Sequence, residues 1–81
     1  MTLGNLLKNA RSAKNMTQKE VAEAVGIELN SYQNYEYEVR KPRADILLKL
    51  IRILDLDIDE VEKILENKVS VKNSVANQQN F

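Results

Sequence analysis

Asn30, Gln33 and Asn34 lie within one turn of each other in a stretch with few apolar residues. A side-chain amide donates and accepts at once, so such a face can make paired hydrogen bonds, for example to the edge of an adenine. Any solvated helix also shows a polar face, so the surroundings decide its meaning. Arg40, Lys41 and Arg43 follow directly, and these cations suit phosphate. Asp55, Asp57, Asp59 and Glu60 alternate as calcium ligands do. The glycine and terminal bidentate Glu of a calcium loop are missing, however, and helix capping accounts for the acids better. The chain has no His and no Cys, which removes disulfides, zinc fingers and imidazole or thiolate metal sites. Without those groups, and without a glycine-rich phosphate loop, the inventory does not support an enzyme. No metal, cofactor or small-molecule ligand is implied.

The elements that must position these residues read as helices. Leu3, Leu7 and Ala10, with Leu6 and Ala13, fall on helical spacing and predict a first helix over 3–14. Asn15 suits its end because Asn tolerates a left-handed backbone. Thr17 with Glu20 forms a capping box, flanked by Met16 and Val21 at the staple positions. Val21, Ala22 and Val25 then make a short apolar stripe that Gly26 ends. A third helix is predicted over 28–37, or from Asn30 onward, with Tyr32 and Tyr35 on one face. Residues 38–42 read as a loop, and Pro42 fits the start of the next helix. Ile46, Leu47, Leu50, Ile53 and Leu54 mark a fourth helix over 44–54. A second capping box, Asp57 with Glu60, and a staple of Leu56 with Val61 start a fifth helix near Ile58, running to about Lys68. The expected division is a domain over 1–69 and a polar tail over 70–81, disordered or loosely attached.

The chain has 81 residues, room for one small domain, and such a domain usually gains stability from oligomerisation when it lacks disulfides and metals. A homodimer is therefore expected. Ile64, Val69 and Val71 are candidates for its surface, although Ile64 could equally complete the core. No run of about 18 apolar residues is present, and the N-terminus lacks a signal-peptide pattern, so a cytoplasmic protein without membrane contact is expected. Residues 1–43 carry 7 basic and 5 acidic side chains, and residues 44–81 carry 5 and 7. The small positive excess falls in the first half, and non-specific attraction to nucleic acid should be weak.

Two short helices joined by a tight glycine turn make a helix-turn-helix. The arrangement needs a small residue where the helices cross (Ala22), a residue that accepts a left-handed backbone (Gly26) and an apolar face on the second helix (Tyr32 and Tyr35). The ordered set Thr17, Gln18, Ala22, Gly26, Tyr35, Glu36 and Lys41-Pro42 resembles the Cro and phage-repressor type of helix-turn-helix domain, the Xre family. The likeness covers about residues 3–66. It implies an all-α, compact five-helix bundle of the lambda-repressor-like type, whose second and third helices form the motif. It also implies a repressor-like transcriptional regulator that binds double-stranded DNA as a dimer.

By that resemblance Leu29, Asn30, Gln33 and Asn34 face base edges in the major groove. Thr17, Gln18, Ser31, Tyr37, Arg40, Lys41 and Arg43 contact phosphates. Arg11 and Glu36 match a salt bridge that joins the first and third helices. Departures from the family pattern are Glu28 at the usual capping position, Leu29, Tyr32 where an aliphatic residue is usual, and Glu38 where Gly or Asn is common. An alternative on the same fold is an antitoxin-like or anti-repressor-like protein-interaction module. It would lean on the tail, whose anchors are Val71, Val75 and Phe81.

Overall fold

The computed structural model describes residues 1–69, with side chains up to residue 66. The predicted tail over 70–81, with Val71, Val75 and Phe81, lies outside the described residues, as does the side chain of Val69. Five helices follow in order: α1 (Leu3–Ala13), α2 (Gln18–Val25), α3 (Leu29–Glu36), α4 (Ala44–Leu54) and α5 (Ile58–Val69). Among the described residues there is no strand, and no helix is long and apolar enough to cross a membrane. The architecture is the all-α, lambda-repressor-like bundle expected above.

Local chemistry sets most helix ends. Thr2 starts α1, its hydroxyl accepting from the Asn5 N–H at 3.1 Å. Asn15 ends the turn after α1 with φ of 56°, the left-handed conformation foreseen for it. The box at α2 closes in both directions: the Glu20 N–H donates to the Thr17 hydroxyl at 3.0 Å, and the Thr17 N–H donates to the Glu20 carboxylate at 2.8 Å. Gly26 leaves α2 at φ 87°, and its N–H and that of Ile27 both reach the Ala22 carbonyl. At α5 the Asp57 carboxylate accepts from the Asp59 N–H at 2.9 Å. Asp55 takes the left-handed position that ends α4. Capping and turn geometry thus give local roles to two members of the acidic run.

α3 begins at Leu29, with Glu28 as an N-cap residue whose side chain makes no capping hydrogen bond. It ends at Glu36, and Tyr37 is its C-cap. This helix has little to hold it locally, so its neighbours must fix it. α1 and α2 each pack against both α3 and α4. Leu7, Val21, Tyr32 and Leu50 are fully buried where they meet, and Ala22, 2 % exposed, supplies the small residue. Each large apolar side chain buried this way contributes about 1.5–3 kcal/mol. From the C-terminal half, Leu54, Leu56, Val61 and Ile64 join the same core. Ile64 is 6 % exposed, which puts it in the intramolecular core and not on an open face.

Candidate nucleic-acid interface

Glu36 is the buried polar centre on which the candidate interface is built. Its side chain is 1 % exposed, yet it carries a carboxylate. Both oxygens are fully engaged. Oε2 accepts from Arg11 Nε at 2.6 Å and from the Tyr32 hydroxyl at 2.5 Å. Oε1 accepts from Gln18 Nε2 at 2.9 Å and from an Arg11 terminal nitrogen at 3.2 Å. Arg11 comes from α1, Gln18 from α2, and Tyr32 and Glu36 are one turn apart on α3. One acid therefore ties three helices together. Arg11 also donates to the Met16 carbonyl at 3.0 Å, fixing the α1–α2 turn.

The electrostatics follow from this geometry. Burial alone would raise the Glu36 carboxyl, but hydrogen bonds from Arg11, Tyr32 and Gln18 outweigh it and hold the group below its ordinary value. Burial, then the hydrogen bond to Glu36, pushes the Tyr32 hydroxyl far up, so it stays protonated and donates. The bond to Glu36 raises Arg11, which burial partly opposes.

This charge also sets the direction of a chain of amides. An ionised carboxylate only accepts. Gln18 must therefore turn its NH2 toward Glu36, which leaves its Oε1 to accept from Gln33 Nε2 at 3.1 Å. The same Gln18 nitrogen lies 3.3 Å from the Tyr37 hydroxyl. The carbonyl end of Gln33 is what the chain presents onward.

Outside this centre the residues expected at base edges and phosphates are arranged along α3 and beyond it. Leu29 is 38 % exposed and Asn30 is exposed, whereas Gln33, Asn34 and Ser31 are half-buried. Thr17 is engaged as the cap of α2, and Gln18 is half-buried in the amide chain. Tyr37, Arg40, Lys41 and Arg43 are exposed. Arg43 pairs at 3.3 Å with Asp45, a solvated contact that contributes little. Tyr35 is half-buried against the core.

Beside the start of α2 an open groove of about 660 Å³ is lined by Lys8, Arg11, Thr17, Gln18 and Tyr37, among others. Lys8 was not singled out from the sequence. Its spacing from Arg11 on α1 is a weak signal, and only the groove it shares with the start of α2 gives it meaning. Gly4 was also missed. It is buried, and a Cβ there would overlap the Glu36 carbonyl oxygen, so α1 can approach the end of α3 only with glycine at this position.

A glycine turn, a short second helix and a polar face left outward define a helix-turn-helix domain. The chain belongs to the Cro/C1-type helix-turn-helix family: the family model described as Helix-turn-helix matches residues 7–61. Among curated proteins it is similar to the HTH-type transcriptional regulator ImmR of Bacillus subtilis (strain 168), 41 % identical over 73 residues, which are 90 % of this chain and 56 % of that protein. It is also similar to the cryptic phage CTXphi transcriptional repressor RstR of Vibrio cholerae, 38 % identical over 61 residues, 75 % of this chain and 54 % of that protein. The uncharacterized HTH-type transcriptional regulator YobD of Bacillus subtilis (strain 168) is 36 % identical over 70 residues, 83 % of this chain and 62 % of that protein. The chain thus spans somewhat over half the length of these relatives. No solved structure matches it.

Proposed function

We propose that this chain is a sequence-specific DNA-binding transcriptional regulator of the repressor kind, which sets α3 in the major groove. The observation that carries this reading is the division of labour on α3. Its inner face, Tyr32 and Glu36, is buried and hydrogen-bonded, while Leu29 and Asn30 stay outward with Asn34 half-exposed beside them. An element fixed so firmly on one side and open on the other suits the rigid presentation of side chains to base edges. Asn30, Asn34 and the carbonyl of Gln33 offer hydrogen bonds there, and Leu29 suits a thymine methyl.

Phosphate contacts come from two flanks. One is the start of α2, where Thr17 and Gln18 meet N–H groups at the positive end of a helix, with Lys8 close by. The other is Ser31, Tyr37, Arg40, Lys41 and Arg43. These contacts fix register, and the base contacts discriminate. The protein acts as a homodimer on two half-sites about one helical turn apart, roughly 34 Å. The relatives whose names say transcriptional regulator or repressor support the same assignment.

Selection of bound duplexes from a random pool at physiological salt tests this function. An enriched palindromic sequence is the expected result. Recovery of the pool without enrichment would overturn specific recognition.

A further inference from the structure

Glu38 is anomalous in two ways. Its backbone sits at φ 65°, a conformation that costs a residue with a Cβ about 1–2 kcal/mol. It also places a carboxylate next to the cations of its own loop, where the proposed partner is a polyanion. Its side chain, however, reaches back 34 residues to α1, where Oε2 accepts from the Gly4 N–H at 2.5 Å. That N–H belongs to the first turn of α1 and lacks an intrahelical acceptor, and the positive end of the helix favours an anion there.

The junction is tight on both sides. Gly4 is pressed on the Glu36 carbonyl, so the start of α1 and the end of α3 meet with no room for a Cβ. The Asn34 carbonyl accepts from the N–H groups of Val39 at 2.9 Å and Arg40 at 3.2 Å, so the loop leaves the junction along a fixed path. Glu38, Arg40 and Lys41 border one small cleft with Leu3 and Tyr35.

We propose that Glu38 is a positioning residue for DNA-backbone contact: by holding the first turn of α1 it fixes the path of the loop that carries Arg40 and Lys41. This rests on the DNA-binding reading above. It predicts a sign opposite to simple charge. Deleting an acid from a DNA-binding surface should tighten binding to a polyanion. Deleting Glu38 by a residue that cannot reach Gly4 loosens it.

The test titrates a mixed-sequence duplex of ~30 base pairs, about three helical turns, at several salt concentrations. Glu38→Gly suits the left-handed backbone and should stay folded, as a thermal melt will show. It is expected to bind roughly three- to tenfold more weakly, with a log–log salt slope shallower by about one, equivalent to one lost phosphate contact. Glu38→Gln keeps a carbonyl within reach of the Gly4 N–H and is expected to bind at least as well as wild type. Should Glu38→Gly melt early, Glu38→Asn answers the same question, since Asn tolerates the backbone and is too short to reach. Equal or tighter binding by the folded variants with an unchanged slope would overturn the positioning role alone. A wild-type protein that binds no duplex at any salt would overturn the DNA-binding reading, and the positioning role with it.

Discussion

At the scale of single residues, Glu36 connects stability to recognition. Four hydrogen bonds converge on a carboxylate that is 1 % exposed, so replacing it by an amide strips Arg11 of its counter-ion and turns one of the two accepting oxygens into a donor. Glu36→Gln should cost about 3–5 kcal/mol, the usual loss when one partner of a buried pair is removed. The pH dependence has a definite sign. The folded protein holds this carboxyl below its ordinary value of 4.5, so the unfolded chain binds the proton more tightly. The stabilisation is complete above about pH 4.5 and fades as pH falls through the lower folded value. Melting curves taken through the acid range should show a shallower acid limb for Glu36→Gln than for wild type. Matching limbs would mean that Glu36 is not ionised in the fold. Two surface residues test the proposed division between affinity and discrimination. Asn34→Ala should reduce preference for the selected sequence by about 1–3 kcal/mol. Lys41→Ala should weaken binding to every sequence alike and lower the salt slope by about 0.9. Parallel titrations on selected and scrambled duplexes check both, and equal losses on the two duplexes for Asn34→Ala would remove it from the base-reading set.

At the scale of elements, the two glycines make opposite demands. Gly26 stands at φ 87° with nothing within 4 Å of the position a Cβ would take. Its substitution cost is conformational alone, so Gly26→Ala should lose about 1–2 kcal/mol and Gly26→Asn less. Gly4 lies inside α1, where a side chain would overlap the Glu36 carbonyl, so Gly4→Ala must push α1 away from α3. Overpacking of this kind costs about 1–3 kcal/mol, and here it also strains the Arg11–Glu36 pair. Chemical denaturation of the variants distinguishes them: Asn should rescue position 26 in part, and it should make position 4 worse. The same contrast explains what was legible in the sequence. The box of Thr17 and Glu20, the stop at Asn15, the turn at Gly26 and the full extent of α4 are local signals and could be read from spacing. The limits of α3 were less legible, because Glu28 does not cap it and its stability comes from other helices. The contacts of Gly4 with Glu36 and Glu38 join residues more than thirty positions apart, and no local pattern marks them. Arg11 and Glu36 could be paired in advance only through family resemblance, since they are 25 residues apart.

At the scale of the whole molecule, charge and size bear on how binding is achieved. A formal net charge of zero gives little long-range attraction to DNA, so on the proposed reading one copy, with only the eight-residue α3 in the groove, would hold few contacts. Two copies on adjacent half-sites double the contacts without a new kind of interaction, and the second copy binds at a high effective concentration. Leu48 on α4 and Ile58 on α5 remain 61 and 50 % exposed, apolar surface that a second copy would cover. The dimer reading therefore makes a geometric prediction. On the selected palindrome, occupancy should rise more steeply than a one-site curve, and sedimentation of the complex should give two chains per duplex. Inserting ~5 base pairs between the half-sites turns them to opposite faces of the duplex, and should reduce binding to that of an isolated half-site. Inserting ~10 restores the face but stretches the separation by about 34 Å, and should restore little, because a rigid pair of small domains cannot span it. Equal affinity for all three spacings would show that single copies bind independently.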